Sequence, residues 1–116
     1  MYHFLPENRW EVIEEIPAAI DMRAIRPGLG RVIFEAKTIT ETNEINQCRA
    51  ALSQLLEYRF FYGDPVDELC VVVDAPIADA RLRFLESIDV AVALAANGTL
   101  EGLGSAGIRL LEVKRQ

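Results

Sequence analysis

Arg31-Val32-Ile33-Phe34-Glu35-Ala36-Lys37-Thr38-Ile39 is the stretch on which the fold turns. Val32, Phe34 and Ala36 alternate with Ile33, Glu35, Lys37 and Ile39, the period of two that a strand imposes, so Glu35 and Lys37 project from one sheet face while Phe34 and Ala36 point to the other. The chain holds two lysines against ten arginines. A lysine in mid-strand, flanked by Ile33, Phe34, Ala36 and Ile39, is therefore hard to explain as surface decoration.

Upstream, Ala18 to Arg26 shows the same alternation, with Ile20, Met22 and Ala24 on one face and Asp21, Arg23 and Ile25 on the other. Pro27-Gly28-Leu29-Gly30 turns the chain, so the two segments are read as an antiparallel hairpin. A connection counted as five residues, or a bulge, brings Asp21 to the face of Glu35; a register one residue off sends it to the other. Before the hairpin, Trp10 to Ile16 is compatible with a first strand or a short helix cut by Pro17, the strand being preferred.

Downstream, Thr40-Glu41-Thr42-Asn43 offers N-cap residues, and Ile45, Cys48, Leu52, Leu55, Leu56 and Phe60 follow at helical spacing until Gly63 and Pro65. Gln47, Ala51, Gln54, Tyr58 and Phe61 form a second stripe beside them. Leu69 to Val73 is an apolar run suited to a strand buried on both faces. Asp79 to Glu86 reads as a short amphipathic helix, Val90 to Ala95 as a strand, Asn97-Gly98 as a tight turn, and Ile108 to Val113 as a last strand-like stretch. Gly102, Gly104 and Gly107 match no phosphate-binding spacing and are read as turn or bulge positions. The fold class is α/β (α+β): a mixed central sheet with an antiparallel hairpin and helices packed against it.

At 116 residues, 51% of them apolar, the chain is long enough for one domain with a real core, taken as residues 1–116, whole or as a piece of a longer protein. Its apolar runs are far shorter than a membrane span and no apolar leader is evident, so a soluble, cytoplasmic location is expected. Cys48 and Cys70 sit in apolar settings and are expected to be reduced core thiols. A net charge of −6 speaks against binding nucleic acid through bulk electrostatics, although Arg23, Arg26, Arg31, Arg49 and Arg59 cluster in the stretch around Glu35. His3 receives no role, and Asp64, Asp67 and Asp74 are read as solvated loop acids.

Glu35 beside Lys37 is a carboxylate beside an ammonium. Hydrolysis of a phosphodiester needs a hard divalent cation on carboxylate oxygens together with a group that orients water, and Asp21, Glu35 and the carbonyl of Ala36 can supply the oxygens. Taken alone, such a pair on a strand is an ordinary solvated ion pair, and Gln54 with Tyr58 an amphipathic seam whose tyrosine hydroxyl reaches water.

Ile20-Asp21, then Val32-Ile33-Phe34-Glu35-Ala36-Lys37-Thr38, then a glutamine-bearing helix resembles the PD-(D/E)XK, restriction-endonuclease-like nuclease superfamily, over about residues 18–73. Gln54-Leu55-Leu56-Glu57-Tyr58 is similar to the Q-h-x-x-Y helix motif of its RecB-like branch. The resemblance implies a nuclease cleaving DNA with Mg2+, or Mn2+ in its place. Asp21, Glu35 and Ala36 would hold the metal, Lys37 would assist the attacking water, and Gln54 and Tyr58 would support the lysine and substrate. It implies a role in repair, restriction or defence, with a homodimer or a fused or associated domain as the expected protein partner. Two features depart from the pattern: Ile20 stands where the motif has proline, and no helix carrying an acid precedes the hairpin, which leaves Glu11, Glu14 and Glu15 or a longer parent chain to supply that ligand. A catalytically inactive binding module on the same fold is the alternative expectation.

Overall fold

The computed structural model describes the backbone of residues 11–16, 20–26 and 30–112 and the side chains of residues 31–111. Six strands lie in one sheet in chain order: β1 (Glu11–Ile16), β2 (Ile20–Arg26), β3 (Gly30–Lys37), β4 (Glu68–Val73), β5 (Val90–Ala96) and β6 (Thr99–Leu103). The first three form an antiparallel meander. Helix α1 (Glu44–Phe61) then carries the chain to β4, parallel to β3, and α2 (Asp79–Ser87) carries it to β5, parallel to β4. An antiparallel hairpin to β6 and helix α3 (Gly104–Glu112) complete the described chain.

Strand alternation sorts the core into two layers. Ile33, Leu69, Val71, Val73, Val90 and Val92 bury one face of the sheet beneath α1 and α2, with Ala51, Leu55 and Tyr58 from α1 and Leu85 from α2. Val32, Phe34, Cys70, Val72, Ala91 and Ala93 bury the other face against Leu110 and Leu111 of α3. Every residue from Leu69 to Val73 is buried, as a strand covered on both faces requires. Asn97 and Gly98 both take positive φ, 53° and 77°, the geometry of the two-residue hairpin turn that Asn-Gly favours. Cys48 and Cys70 are free and buried, and burial pushes both thiols above their usual range, Cys70 far above it.

Three expectations are corrected. Residues 108–112 are helical and belong to α3, and the chain before them, Thr99–Leu103, is strand β6. Gly107 sits so close to the carbonyl oxygen of Val92 and the backbone of Gly102 that a Cβ would collide with both, so these glycines let a helix lie directly on the sheet. Gly107→Ala is therefore expected to cost about 2 kcal/mol, because backbone cannot move aside as a side-chain tip can. The check is the urea midpoint; an unchanged midpoint would refute the close-packing account.

On α1 the buried stripe takes Cys48 and Leu55 from the aliphatic set read from the sequence and Ala51 and Tyr58 from the second stripe, while Ile45, Leu56 and Phe60 are 49%, 42% and 80% exposed. The stripe is rotated because the sheet is covered by small residues and one tyrosine, leaving the larger apolar groups outside. Asp67, third, is not a solvated loop acid. It is 3% exposed, accepts a bond from Arg31 Nε at 3.0 Å and one from the Asp64 amide at 2.9 Å, while Arg59 Nη1 donates to its carbonyl at 3.2 Å. Asp67 thus ties the end of α1, the following turn and the start of β3 together.

Candidate active site

The β2–β3 register pairs Met22 with Phe34, Arg23 with Ile33 and Arg26 with Gly30. The last pair, Arg26 with Gly30, leaves three residues between the strands, not the five expected from the sequence. At the other end the paired residues stop at Met22 with Phe34, one short of Asp21 and Glu35. The side chain of Asp21 lies outside the described residues.

Glu35 and Lys37 lie on the sheet face that α1 covers, since Ile33 of the same strand face packs against α1 and Ala36 of the opposite one packs towards α3. Their side chains are only 7% and 16% exposed, and Lys37 Nζ stands 3.6 Å from Glu35 Oε2. That is ion-pair distance but longer than a formed hydrogen bond, so the ammonium is held near the carboxylate without being locked to it. The surroundings exclude most water, which makes the pair unlike a solvated surface pair and gives each charge a strong effect on the other and on anything bound beside them.

The β3–α1 turn is built by its own side chains. Asn43 Oδ1 accepts from the Thr40 amide at 2.7 Å, and Asn43 Nδ2 donates to the Thr38 carbonyl at 3.0 Å, so Asn43 organises the turn and makes no side-chain cap bond to the helix. Gln47 Nε2 donates to the same carbonyl at 3.3 Å, and Asp74 Oδ1 accepts from the Ile39 amide at 2.8 Å. Four side-chain bonds therefore fix the chain where it leaves Lys37. Sequence reading missed Asp74 in this role; its position just after β4, beside the end of a parallel β3, was the available signal.

Gln54 is half-buried on α1, and its Oε1 is buried with no hydrogen-bond partner among the described residues. A buried amide oxygen without a donor is costly and marks a place where a donor can be taken up. Tyr58, one turn on, is buried in the core layer with its ring centroid 5.3 Å from that of Tyr62. Phe61, grouped with this stripe by spacing, is 67% exposed and turned away. A crevice of about 210 Å3 opens at the carboxyl ends of β3 to β5, lined by Ala36, Lys37, Thr38, Val72, Asp74 and Ala95 among others. Lys37 borders this crevice but Glu35 does not, and Ala36, Val72 and Ala95 put its apolar wall on the α3 side of the sheet.

Among the described residues no three His, Cys, Asp or Glu side chains gather as a ready metal site. The Glu35 carboxylate and the Ala36 carbonyl are hard oxygens, of the kind that Mg2+ takes with water completing its shell. No helix among the described residues is long and apolar enough to cross a membrane. The chain matches no known family model, no curated protein and no solved structure.

Proposed function

We propose that this chain is a Mg2+-dependent nuclease domain with a restriction-endonuclease-like core, hydrolysing phosphodiester bonds of DNA in repair, restriction or defence. The observation that carries the reading is the nearly buried Glu35–Lys37 pair, held on one strand with Asp21 one residue beyond the last pair of the β2–β3 ladder. Asp21, Glu35 and the Ala36 carbonyl would hold the ion, which when bound supplies a Lewis acid and lowers the pKa of water. Lys37 neutralises charge that grows on the phosphoryl oxygens and orients the attacking water, an electrostatic role strengthened by a water-poor site. Gln54, with its vacant acceptor, positions the lysine ammonium or a donor on the substrate, and Tyr58 holds the helix turn that carries it.

The test is cleavage of plasmid and single-stranded DNA with Mg2+ or Mn2+, with Glu35→Gln alongside. Gln keeps the shape but removes the charge that would attract a cation, so cleavage should fall at least ~100-fold. Absence of cleavage by the wild type, or equal cleavage by both proteins, would remove the catalytic reading. The net charge of −6 favours a second reading, a nuclease-fold module that meets protein instead of DNA. Calorimetry with Mg2+ separates the two: no cation uptake, or uptake unchanged by Asp21→Ala, favours the module.

A further inference from the structure

The far end of α1 exposes apolar surface that neither the core nor the candidate site uses. Phe60, Phe61 and Tyr62 are 80%, 67% and 72% exposed, Val66 in the following turn is 82% exposed, and Leu56 one turn earlier is 42% exposed. The rings form one continuous surface: Phe60 and Phe61 meet edge to face at 4.9 Å between centroids, and Phe61 lies 6.4 Å from Tyr62. Beside these projecting rings runs a shallow groove lined by Leu56, Arg59, Phe60 and Pro65.

We infer that this surface is a self-association interface, through which two copies of the chain pair by a two-fold axis. The three aromatic residues alone expose roughly 450 Å2, at side-chain areas of about 150–250 Å2 each. That is in the middle of the range of about 300–600 Å2 for the largest apolar patch on a monomer, a patch that is often functional. It is also more than half of the about 800 Å2 each partner contributes to a standard interface, before any rim is counted. A projecting ring next to a groove on the same surface is self-complementary, which is what a two-fold contact requires. The rim decides against a polyanion. Glu57, Asp64 and Glu68 are exposed around the patch, while Arg59 is half-buried and already donates to the Asp67 carbonyl. Stacked nucleic acid or an anionic membrane would meet carboxylates there. The interface lies at the opposite end of α1 from the Gln47–Thr38 contact, and it stands whether or not the domain cleaves DNA.

Sedimentation equilibrium of the full chain from about 1 to 100 µM tests this. The wild type is expected to dimerise, and Phe60→Glu or Val66→Lys to raise the dissociation constant by about 30-fold or more, the effect of losing a central apolar anchor. Both positions are exposed, so far-ultraviolet circular dichroism should be unchanged. Phe84→Glu, at a 45% exposed residue of α2, should leave the dimer intact. A wild type that stays monomeric at about 100 µM overturns the inference. So does a dimer indifferent to Phe60→Glu and Val66→Lys, or one weakened equally by Phe84→Glu.

Discussion

Lys37→Met is expected to lower the rate of Mg2+-dependent DNA cleavage by about 1,000-fold while leaving the protein folded. The side chain is 16% exposed and its ammonium sits 3.6 Å from Glu35, so in the resting protein it balances one buried carboxylate. In phosphodiester hydrolysis a pentavalent phosphorus collects negative charge on its oxygens, and a cation held in a water-poor site lowers that barrier more than it lowers the ground state. Methionine keeps the length and apolar stem of lysine and removes only the charge and its donors. The change should therefore appear in kcat with KM altered little, and urea unfolding should show a loss of about 2 kcal/mol, since Glu35 is left as a nearly buried carboxylate without its neighbouring cation. A KM effect with kcat preserved would reassign Lys37 to simple substrate attraction, and full activity would end its role in the chemistry.

Asp67→Ala is expected to remove about 3 kcal/mol of folding stability, the largest loss foreseen for a polar residue here. Its carboxylate is 2% exposed and answers Arg31 and the Asp64 amide, so alanine strands a partly buried guanidinium and a backbone donor at once. Arg31 remains 31% exposed and recovers some hydration, which keeps the figure at the lower end for a broken buried pair. Urea unfolding of Asp67→Ala, Arg31→Ala and the double variant measures the coupling: it should exceed ~1 kcal/mol. A loss below ~1 kcal/mol in Asp67→Ala would mean that the knot at the end of α1 is dispensable.

Much of this molecule was legible from period alone. Alternation across Ala18 to Arg26 and Arg31 to Ile39 identified β2 and β3, the apolar run at Leu69 identified the doubly covered β4, and Asn97-Gly98 identified the hairpin that the positive φ values display. The spacing of Glu35 and Lys37 was sufficient to put both on one face, because a strand leaves no other choice. What stayed hidden depends on contacts remote in sequence. Gly104-Ser105-Ala106-Gly107 discourages a helix by propensity, and the helix there is held by contacts remote in sequence: Leu110 and Leu111 buried on the sheet and Gly107 set close to the Val92 carbonyl. The burial of Asp67 depends on Arg31, 36 positions away. Phe60 and Leu56 follow a helical period, but periodicity cannot tell an inner stripe from an outer one when both are apolar.

The Asn97-Gly98 tip has a practical consequence. Gly98 has nothing within 4 Å of where a Cβ would stand, both turn residues are exposed, and the strands they join contribute core but none of Asp21, Glu35, Lys37, Gln54 or Tyr58. Chain spliced into that tip meets no neighbour, and lengthening such a loop costs only about 0.6 kcal/mol per doubling. The molecule therefore carries a natural graft point, where a sequence-reading module or a reporter can be attached without passing through either the charged pair or the aromatic end of α1.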